Sequence, residues 1–170
     1  MNKKIEKILN GQIAAELLSS NLYLSMASWA ENHGFNGVSQ FLYRHADEER
    51  MHMLKLIKFV NERGGKAVIP ASPAPKADFE SVEQLFTLLL KHEMEVTNSI
   101  NKVVYTCLEE KDYTTHNFMQ WYVAEQLEEE ALARNILDKL KIIGKEKSGL
   151  YMFDSDLEKL IQAAPANTAG

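Results

Sequence analysis

The chain has little that would tie it to a membrane, a nucleic acid or a disulfide framework. Its 170 residues include one cysteine, Cys107, so neither an intramolecular disulfide nor a CxxC metal site can form. A lone thiol fits a reducing compartment, and we expect a cytoplasmic location. No apolar run approaches the roughly 18 residues that span a bilayer, and the N-terminus lacks the apolar core of a secretory signal. The net charge of −5 gives a nucleic-acid partner no electrostatic support.

Proline and glycine are also scarce, with four and eight copies, and they divide the chain into long uninterrupted segments. The long segments cover about residues 3–32, 38–63, 81–110 and 114–143. Three of the four prolines lie in residues 66–79, which therefore form an extended linker. A short segment at about 154–163 is predicted to form a fifth helix capped by Asp154 or Ser155, and residues 164–170 form a loose tail.

Apolar residues recur at steps of three or four within each long segment, and no segment alternates with a period of two. The fold class is therefore all-α, in a single domain that spans residues 1–170 with its bundle at about 3–143. The first and third connections are short and make their helices antiparallel neighbours. The linker between the second and third helices can run the length of the molecule, which predicts a four-helix bundle with one long crossover.

Polar residues interrupt the apolar stripes near the middle of each long helix, and their spacing occurs twice. In each copy an acid is followed 33 residues later by a polar residue, and three residues further on by a potential ligand. The copies are Glu16, Glu49 and His52, and then Glu93, Gln126 and Glu129, at an offset of 77 residues. Buried carboxylates are costly unless they are paired or bind metal, and carboxylates with one imidazole suit iron, manganese or zinc. The pattern predicts a pair of metal ions in the core.

Position suggests a role for each ligand. Glu49 and His52 lie one turn apart on one helical face, and Glu49 is the best candidate to bridge two metals. Glu16 with His52 would complete the first site, and Glu93 with Glu129 the second.

Three further side chains lie near these ligands in the predicted bundle. Gln126 could hydrogen-bond a bound water or oxygen molecule. Tyr23 lies two turns from Glu16 on the same face, within reach for a hydrogen bond or an electron. Trp121 is a weaker candidate for the same neighbourhood. A single glutamate in one helix is more often a solvated surface residue, and it is the doubled spacing that favours the metal interpretation.

The chain resembles the bacterial non-haem ferritins over essentially its whole length. The resemblance is carried by QIAAELLSSNLYLSMASWAENHGFNG, FLYRHADEERMHM, KHEMEVTNSIN, DYTTHNFMQWYVAEQLEEEALARNILDKL and GLYMFDSDLEKL. It implies a ferritin-like fold and a homo-oligomeric hollow shell of 24 subunits. It also implies iron storage and detoxification, in which a dinuclear ferroxidase centre oxidises Fe(II) with oxygen or peroxide and ferric mineral collects inside the shell.

The resemblance also assigns residues to this centre. The family's ligands of the first iron correspond to Glu16, Glu49 and His52 of this chain, and Tyr23 matches the family's tyrosine beside the centre. The second iron carries over to Glu49, Glu93 and Glu129, with Gln126 close by. Bacterial members often add a third iron site, which maps onto Glu48, Glu125, Glu128 and Glu129. The spacing alone identifies Glu48, Glu125 and Glu128 only as a neighbouring acidic strip.

Departures from related families narrow the prediction. Haem-binding bacterioferritins have a second Glu-x-x-His pair, where this chain has Gln126 and Glu129, and a haem methionine, where this chain has Arg50. We therefore predict no haem. Rubrerythrin-like peroxidases need a CxxC domain that one cysteine cannot supply, and mini-ferritins usually bind metal between subunits.

Other interpretations stay open at this point. The bundle could be a redox-inert structural or metal-binding protein, or a small di-iron oxygenase that acts on an organic substrate. An acidic entry pore near the third break could use Glu109, Glu110, Asp112 or His116, although such charges more often belong to a solvated loop. His45 is expected to make a structural hydrogen bond, and Cys107 to be a buried packing residue.

Overall fold

Five α-helices make up the computed structural model, which describes residues 1–144 and 146–163, with side chains as far as residue 159. The expected tail at 164–170 lies outside the described residues. The helices are α1 (Lys3–Asn32), α2 (Asn36–Glu62), α3 (Val82–Glu109), α4 (Tyr113–Ile143) and α5 (Lys147–Ala163). The prediction of an all-α bundle with a long crossover is confirmed, the crossover being residues 63–81. No helix within the described ranges is long and apolar enough to cross a bilayer.

Side chains at the helix starts satisfy the first backbone N–H groups. Ser81 accepts from the N–H of Gln84 at 3.1 Å, and the Gln84 side chain accepts from the N–H of Glu80 at 2.8 Å. Ser81 and Gln84 thus form a Ser-x-x-Gln cap of α3, with the return bond made to the residue before the N-cap. Asp112 caps α4 through the N–H of Thr115 at 3.0 Å.

Asp112 also connects the two halves of the bundle. Nη2 of Arg63, the residue after α2, donates to both oxygens of Asp112 at 2.8 and 2.9 Å. The side chain of Asp112 is only 10% exposed. Partial burial strengthens such a pair relative to one in water, so it ties the end of α2 to the start of α4.

A buried polar layer separates two apolar clusters at the two ends of the bundle. One cluster contains Ile13 of α1 and Ile100 of α3, and the other contains Met26 of α1 and Phe86 of α3. Between them every long helix turns polar side chains inward, with Glu16, Glu49, Glu93 and Glu129 among them. Burial of the apolar clusters stabilises the bundle and holds the polar layer at mid-length. Cys107 is fully buried in the first cluster, as predicted.

The prediction for the fifth helix is wrong at its start. Helix α5 begins at Lys147, seven residues before Asp154, so neither Asp154 nor Ser155 caps it. Instead the Asp154 side chain accepts from the backbone N–H of Val38 at 2.9 Å and caps the first turn of α2. Gly37 permits this contact, because a Cβ atom there would lie 1.8 Å from the backbone oxygen of Asp154.

We predict that Gly37→Ala separates α5 from α2, because a methyl group cannot occupy that space. The free energy of unfolding should fall by about 1–3 kcal/mol, and backbone amides of α5 should exchange faster with deuterium. Gly11→Ala is the matched control, since a Cβ atom there meets nothing within 4 Å. It should raise stability by about 0.5–1 kcal/mol through helix propensity. Unchanged exchange of α5 in Gly37→Ala would contradict the proposed packing.

Candidate dinuclear metal centre

The polar layer contains every residue that the doubled spacing selects. Each lies on the inner face of a long helix because it falls in the same register as the apolar side chains above and below it. All are buried: Glu16 from α1, Glu49 and His52 from α2, Glu93 from α3, and Gln126 and Glu129 from α4. The two hairpins therefore do bring their polar residues into one layer.

Glu16, Glu49 and His52 form a compact group. One ligand atom from each of the three side chains lies within 4.8 Å of the others. Nδ1 of His52 is 3.7 Å from an oxygen of Glu49. These are the three residues predicted for the first site, and they offer carboxylate and imidazole donors from two adjacent helices.

Neutral groups hold this first cluster in place. Nε2 of Gln12 donates to Glu16 at 2.9 Å, and the Ser99 hydroxyl donates to the Gln12 carbonyl at 2.7 Å. Tyr122 donates its hydroxyl proton to the backbone carbonyl of His52 at 2.8 Å. Groups of this kind orient metal ligands, and the sequence interpretation missed their role. A signal existed for Gln12, which follows Ile5 and Leu9 in the inward register and lies one turn before Glu16.

The second predicted site is arranged differently. Tyr23 donates its hydroxyl proton to one oxygen of Glu93, and Nε2 of Gln126 donates to the other at 2.9 Å. Glu129 instead has an oxygen 3.5 Å from Nδ1 of His45. Tyr23 thus makes a hydrogen bond to Glu93. Gln126, which was predicted to hydrogen-bond a bound water or oxygen molecule, donates to Glu93 as well.

Burial raises the pKa of all four inner carboxyl groups above their usual range. For Glu16 and Glu49 the pKa lies well above 4.5, first because the charged form is desolvated and then because other carboxylates are close. Burial likewise raises the pKa of Glu93, against the opposing hydrogen bonds from Tyr23 and Gln126. Burial, followed by the charges of Glu93 and Glu48, raises the pKa of Glu129 to about 8. Cations would remove this repulsion and take the place of the protons.

The four glutamates that the resemblance assigns to a third iron site do not form one group. Glu48 and Glu129 gather around His45, and the three offer ligand atoms within 4.8 Å of one another. Glu125 is half-buried and Glu128 is exposed. Among the described residues, neither Glu125 nor Glu128 belongs to a group of three or more potential ligands whose atoms lie within 4.8 Å of one another. The charges of both nevertheless help to raise the pKa of Glu129.

Trp121 lies beside His52, in the neighbourhood where the sequence had placed it as a weaker candidate. Its ring meets the edge of the His52 ring, with centroids 5.1 Å apart. Nζ of Lys55 lies 3.6 Å from the centroid of the indole ring. This cation–π contact stabilises the positive charge of Lys55 and covers one face of Trp121.

The four candidate pore residues make different contacts. Asp112 is occupied as the cap of α4 and as the partner of Arg63. Glu109 and Glu110 both pair with Lys4, at 3.3 and 3.0 Å. His116 is close to Gln120 on the outer face of α4. The three acids therefore join different segments of this chain, and His116 contacts its own helix, which favours the alternative of a solvated connecting loop.

The fold and the polar layer together define an all-helical protein with an internal carboxylate–histidine candidate metal site. The profile of the ferritin-like domain matches residues 6–143. The chain is 44% identical over 160 residues to a probable bacterial non-heme ferritin-like protein of Haemophilus influenzae, covering 94% of this chain and 97% of that one. It is 42% identical to the bacterial non-heme ferritin of Campylobacter jejuni, covering 94% and 96%.

A solved structure shows the same similarity to ferritins. An open pore ferritin from the hyperthermophilic archaeon Archaeoglobus fulgidus superposes with a TM-score of 0.91 at 42% identity, covering 93% of this chain and 98% of that chain. This chain therefore belongs to the ferritin-like family.

The raised pKa of Glu129 predicts how the stability of the metal-free protein depends on pH. In the folded protein the pKa of Glu129 is about 8, above the ordinary value of 4.5. The contribution of this group to the free energy of unfolding is therefore fully present below pH 4.5 and is lost as the pH rises to 8. This loss amounts to at most about 5 kcal/mol. Glu129→Gln mimics the protonated acid, so its unfolding free energy should exceed that of the wild type by more at pH 8 than at pH 5.

Chemical denaturation of chelator-treated protein across this pH range checks the prediction. Glu62→Gln, which removes an exposed acid at the end of α2, is the control for the loss of one carboxylate outside the polar layer. Parallel curves for Glu129→Gln and the wild type would mean that Glu129 ionises normally in the folded protein.

Proposed function

We propose that this protein stores and detoxifies iron by oxidising Fe(II) at the polar layer and keeping the ferric product in a hollow shell. The observation that carries the proposal is the layer itself. Four glutamates and one histidine, from all four long helices, are buried together between two apolar clusters. The names of the relatives support it, since several proteins similar over more than nine-tenths of this chain are bacterial non-heme ferritins.

Two Fe(II) ions are the substrates, and each takes a different set of ligands. Glu16, Glu49 and His52 bind the first ion, and Glu49 bridges to the second. Glu93 and Glu129 complete the second set, for which Glu129 must leave His45. Binding displaces the protons that the raised pKa values of these acids retain.

Oxidation then follows from the ligand type. Two Fe(II) ions supply two electrons, which with two protons reduce one dioxygen molecule to hydrogen peroxide. Carboxylates stabilise Fe(III) relative to Fe(II), because a smaller and more highly charged ion gains more from hard oxygen donors. If peroxide is the oxidant, the same two electrons and two protons reduce it to two water molecules.

Tyr23 and Gln126 act on Glu93 rather than on iron. Their hydrogen bonds occupy both oxygens of this carboxylate and lower its pKa against the effect of burial. They therefore favour the ionised form that a second Fe(II) needs, and they fix where its oxygens point.

Storage requires a container, and we propose a homo-oligomeric shell, of 24 subunits as in the family that the sequence resembles. Support comes from apolar side chains that one subunit leaves uncovered, among them Leu127 at 74% and Ile142 at 87% exposed. Surfaces of this kind are commonly buried between subunits.

We predict that Glu49→Gln and Glu129→Gln each slow aerobic Fe(II) oxidation more than about 100-fold, because each removes a ligand of the second ion. Stopped-flow absorbance and oxygen uptake measure the rate, and size-exclusion chromatography checks the assembly. Glu62→Gln, on the same helix as Glu49 but exposed, should oxidise iron at the wild-type rate. Fast oxidation by both ligand variants would place the reaction elsewhere.

Storage is checked separately by aerobic loading of metal-free protein with many Fe(II) ions per subunit. After fractionation by size, ferric iron should elute with a particle of several hundred kilodaltons, far beyond two or three ions per subunit. Iron limited to about two ions per subunit would reject storage. Absence of oxygen uptake would identify a redox-inert bundle instead.

A further inference from the structure

A series of hydrogen bonds between α3 and α4 connects the surface of the bundle with Glu93. Glu93 and Thr97 lie one turn apart on α3, and both bond to residues of α4. Gln126 donates to Glu93, and one turn further along the Thr97 hydroxyl donates to Glu130. Thr97 and Glu130 are only partly buried and belong to neither apolar cluster. Two side chains outside the polar layer are thus linked to it.

Arg134 sets the direction of these hydrogen bonds at their outer end. Its Nη2 donates to Oε2 of Glu130, one turn earlier on α4. A guanidinium has no acceptor, so the Glu130 carboxylate accepts there. Oε1 of Glu130 accepts the hydroxyl proton of Thr97 at 2.6 Å, a distance typical of a hydroxyl that donates to a carboxylate. The Thr97 hydroxyl therefore has no proton left to donate to Gln126.

This direction fixes which atom of the Gln126 amide faces α3. Nε2 of Gln126 lies 3.3 Å from Oγ1 of Thr97 and 3.2 Å from the backbone carbonyl oxygen of Glu93. Both oxygens must accept, so the amide presents its nitrogen to them and not its oxygen. The same nitrogen donates to Oε2 of Glu93 at 2.9 Å. Turning the amide over would replace these hydrogen bonds by contacts between oxygen atoms.

The orientation of the amide matters for the Glu93 carboxylate. An amide nitrogen attracts a carboxylate oxygen and holds it in place, whereas an amide oxygen would repel it. A ligand that is held in place loses little freedom when an ion binds, so it contributes more to the affinity. Gln126 can hold Glu93 in this way only while its own amide is kept from turning.

We propose that Thr97 and Glu130 are positioning residues for the dinuclear centre. They keep the nitrogen of the Gln126 amide directed at Glu93 and thereby increase the affinity of the centre for its second ion. They act through Gln126 and do not bind the ion themselves. The identification of that ion as Fe(II) rests on the proposed function, but the orientation of Gln126 does not.

Crystals of the metal-free full chain test the orientation directly. Thr97→Val removes the hydroxyl at nearly constant side-chain volume, and Thr97→Ser keeps it. In Thr97→Val the Gln126 amide should leave Glu93 or occupy two positions, one of them more than about 3.5 Å from Oε2. In Thr97→Ser it should stay where it is in the wild type. An unmoved, fully occupied Gln126 side chain in Thr97→Val overturns the proposal.

Crystals soaked in limiting Zn(II) test the effect on the second ion, because anomalous diffraction at the zinc edge measures the occupancy of each ion separately. Thr97→Val should lower the occupancy of the ion bound by Glu93 relative to the ion bound by Glu16 and His52. The loss should correspond to about 3–10-fold weaker binding, the contribution of one hydrogen bond. General destabilisation would affect both ions. An unchanged ratio in Thr97→Val overturns the proposal.

Thr106→Val is the matched control, since it makes the same change on the same helix. Thr106 is buried, but its hydroxyl donates to the backbone carbonyl of Lys102 at 2.8 Å, within α3. Both Thr106→Val and Thr97→Ser should therefore keep the wild-type ratio of the two ions. A lowered ratio in Thr106→Val would mean that the loss of any threonine hydroxyl from α3 disturbs the centre, and it would overturn the specific role of Thr97.

Double variants test whether the positioning residues act through Gln126. Gln126→Leu should lower the ratio at least as much as Thr97→Val, and Thr97→Val should add nothing to it. Glu130→Leu should likewise lower the ratio and add nothing to Thr97→Val. Additive losses would mean that Thr97 or Glu130 acts on the ion directly, which overturns the proposed route.

The two proposals fail in different ways. A protein that binds Zn(II) at both positions but does not oxidise Fe(II) would reject the proposed function, and the Thr97 variants would still decide the positioning role. Conversely, fast iron oxidation by a protein in which Thr97→Val leaves Gln126 and the second ion unchanged would reject the positioning role alone.

Discussion

Burial of four carboxylates in the middle of an apolar bundle is the constraint on which the rest of this structure depends. Desolvation is the largest cause of the pKa rise at Glu16, Glu49, Glu93 and Glu129. Such a layer is stable only where surrounding apolar packing outweighs its cost and where protons, hydrogen bonds or cations neutralise it. The two apolar clusters supply the packing, one on each side of the layer. Helices of about 30 residues are needed to hold both clusters and the layer between them.

Three of the four acids have different partners, and these differences indicate different tasks. Glu16 is held by Gln12, and Glu93 by Tyr23 and Gln126, so both are positioned before any cation arrives. Glu129 faces His45 instead, and both of them line a water-sized cavity that Glu93 also borders. For the proposed oxidation of iron, two pre-positioned carboxylates and one that can reorient suit a site that binds an ion, changes its charge and releases it. A rigid cage of equal donors would retain the product.

Much of this arrangement was predictable from the sequence because helical periodicity is a strong signal. The doubled spacing selects six residues, and all six lie in the polar layer. The acidic strip was less predictable, since helical periodicity places Glu48, Glu125 and Glu128 beside the inward faces of their helices but cannot say which of them a histidine will meet. The start of α5 was wrong for a related reason. Asp154 has the character of an N-cap, but the backbone N–H that it caps belongs to α2, 116 positions away in sequence.

The sequence by itself determined the four long helices, the crossover and which side chains point inward, because these depend on period, glycine and proline along the chain. Only the tertiary structure decided which partner each inward carboxylate takes. Those choices depend on distances of a few ångströms between different helices, as between Tyr23 and Glu93 or His45 and Glu129. Such distances are set by how the apolar clusters pack and by which rotamers fit between them, and no pattern within one helix contains that information.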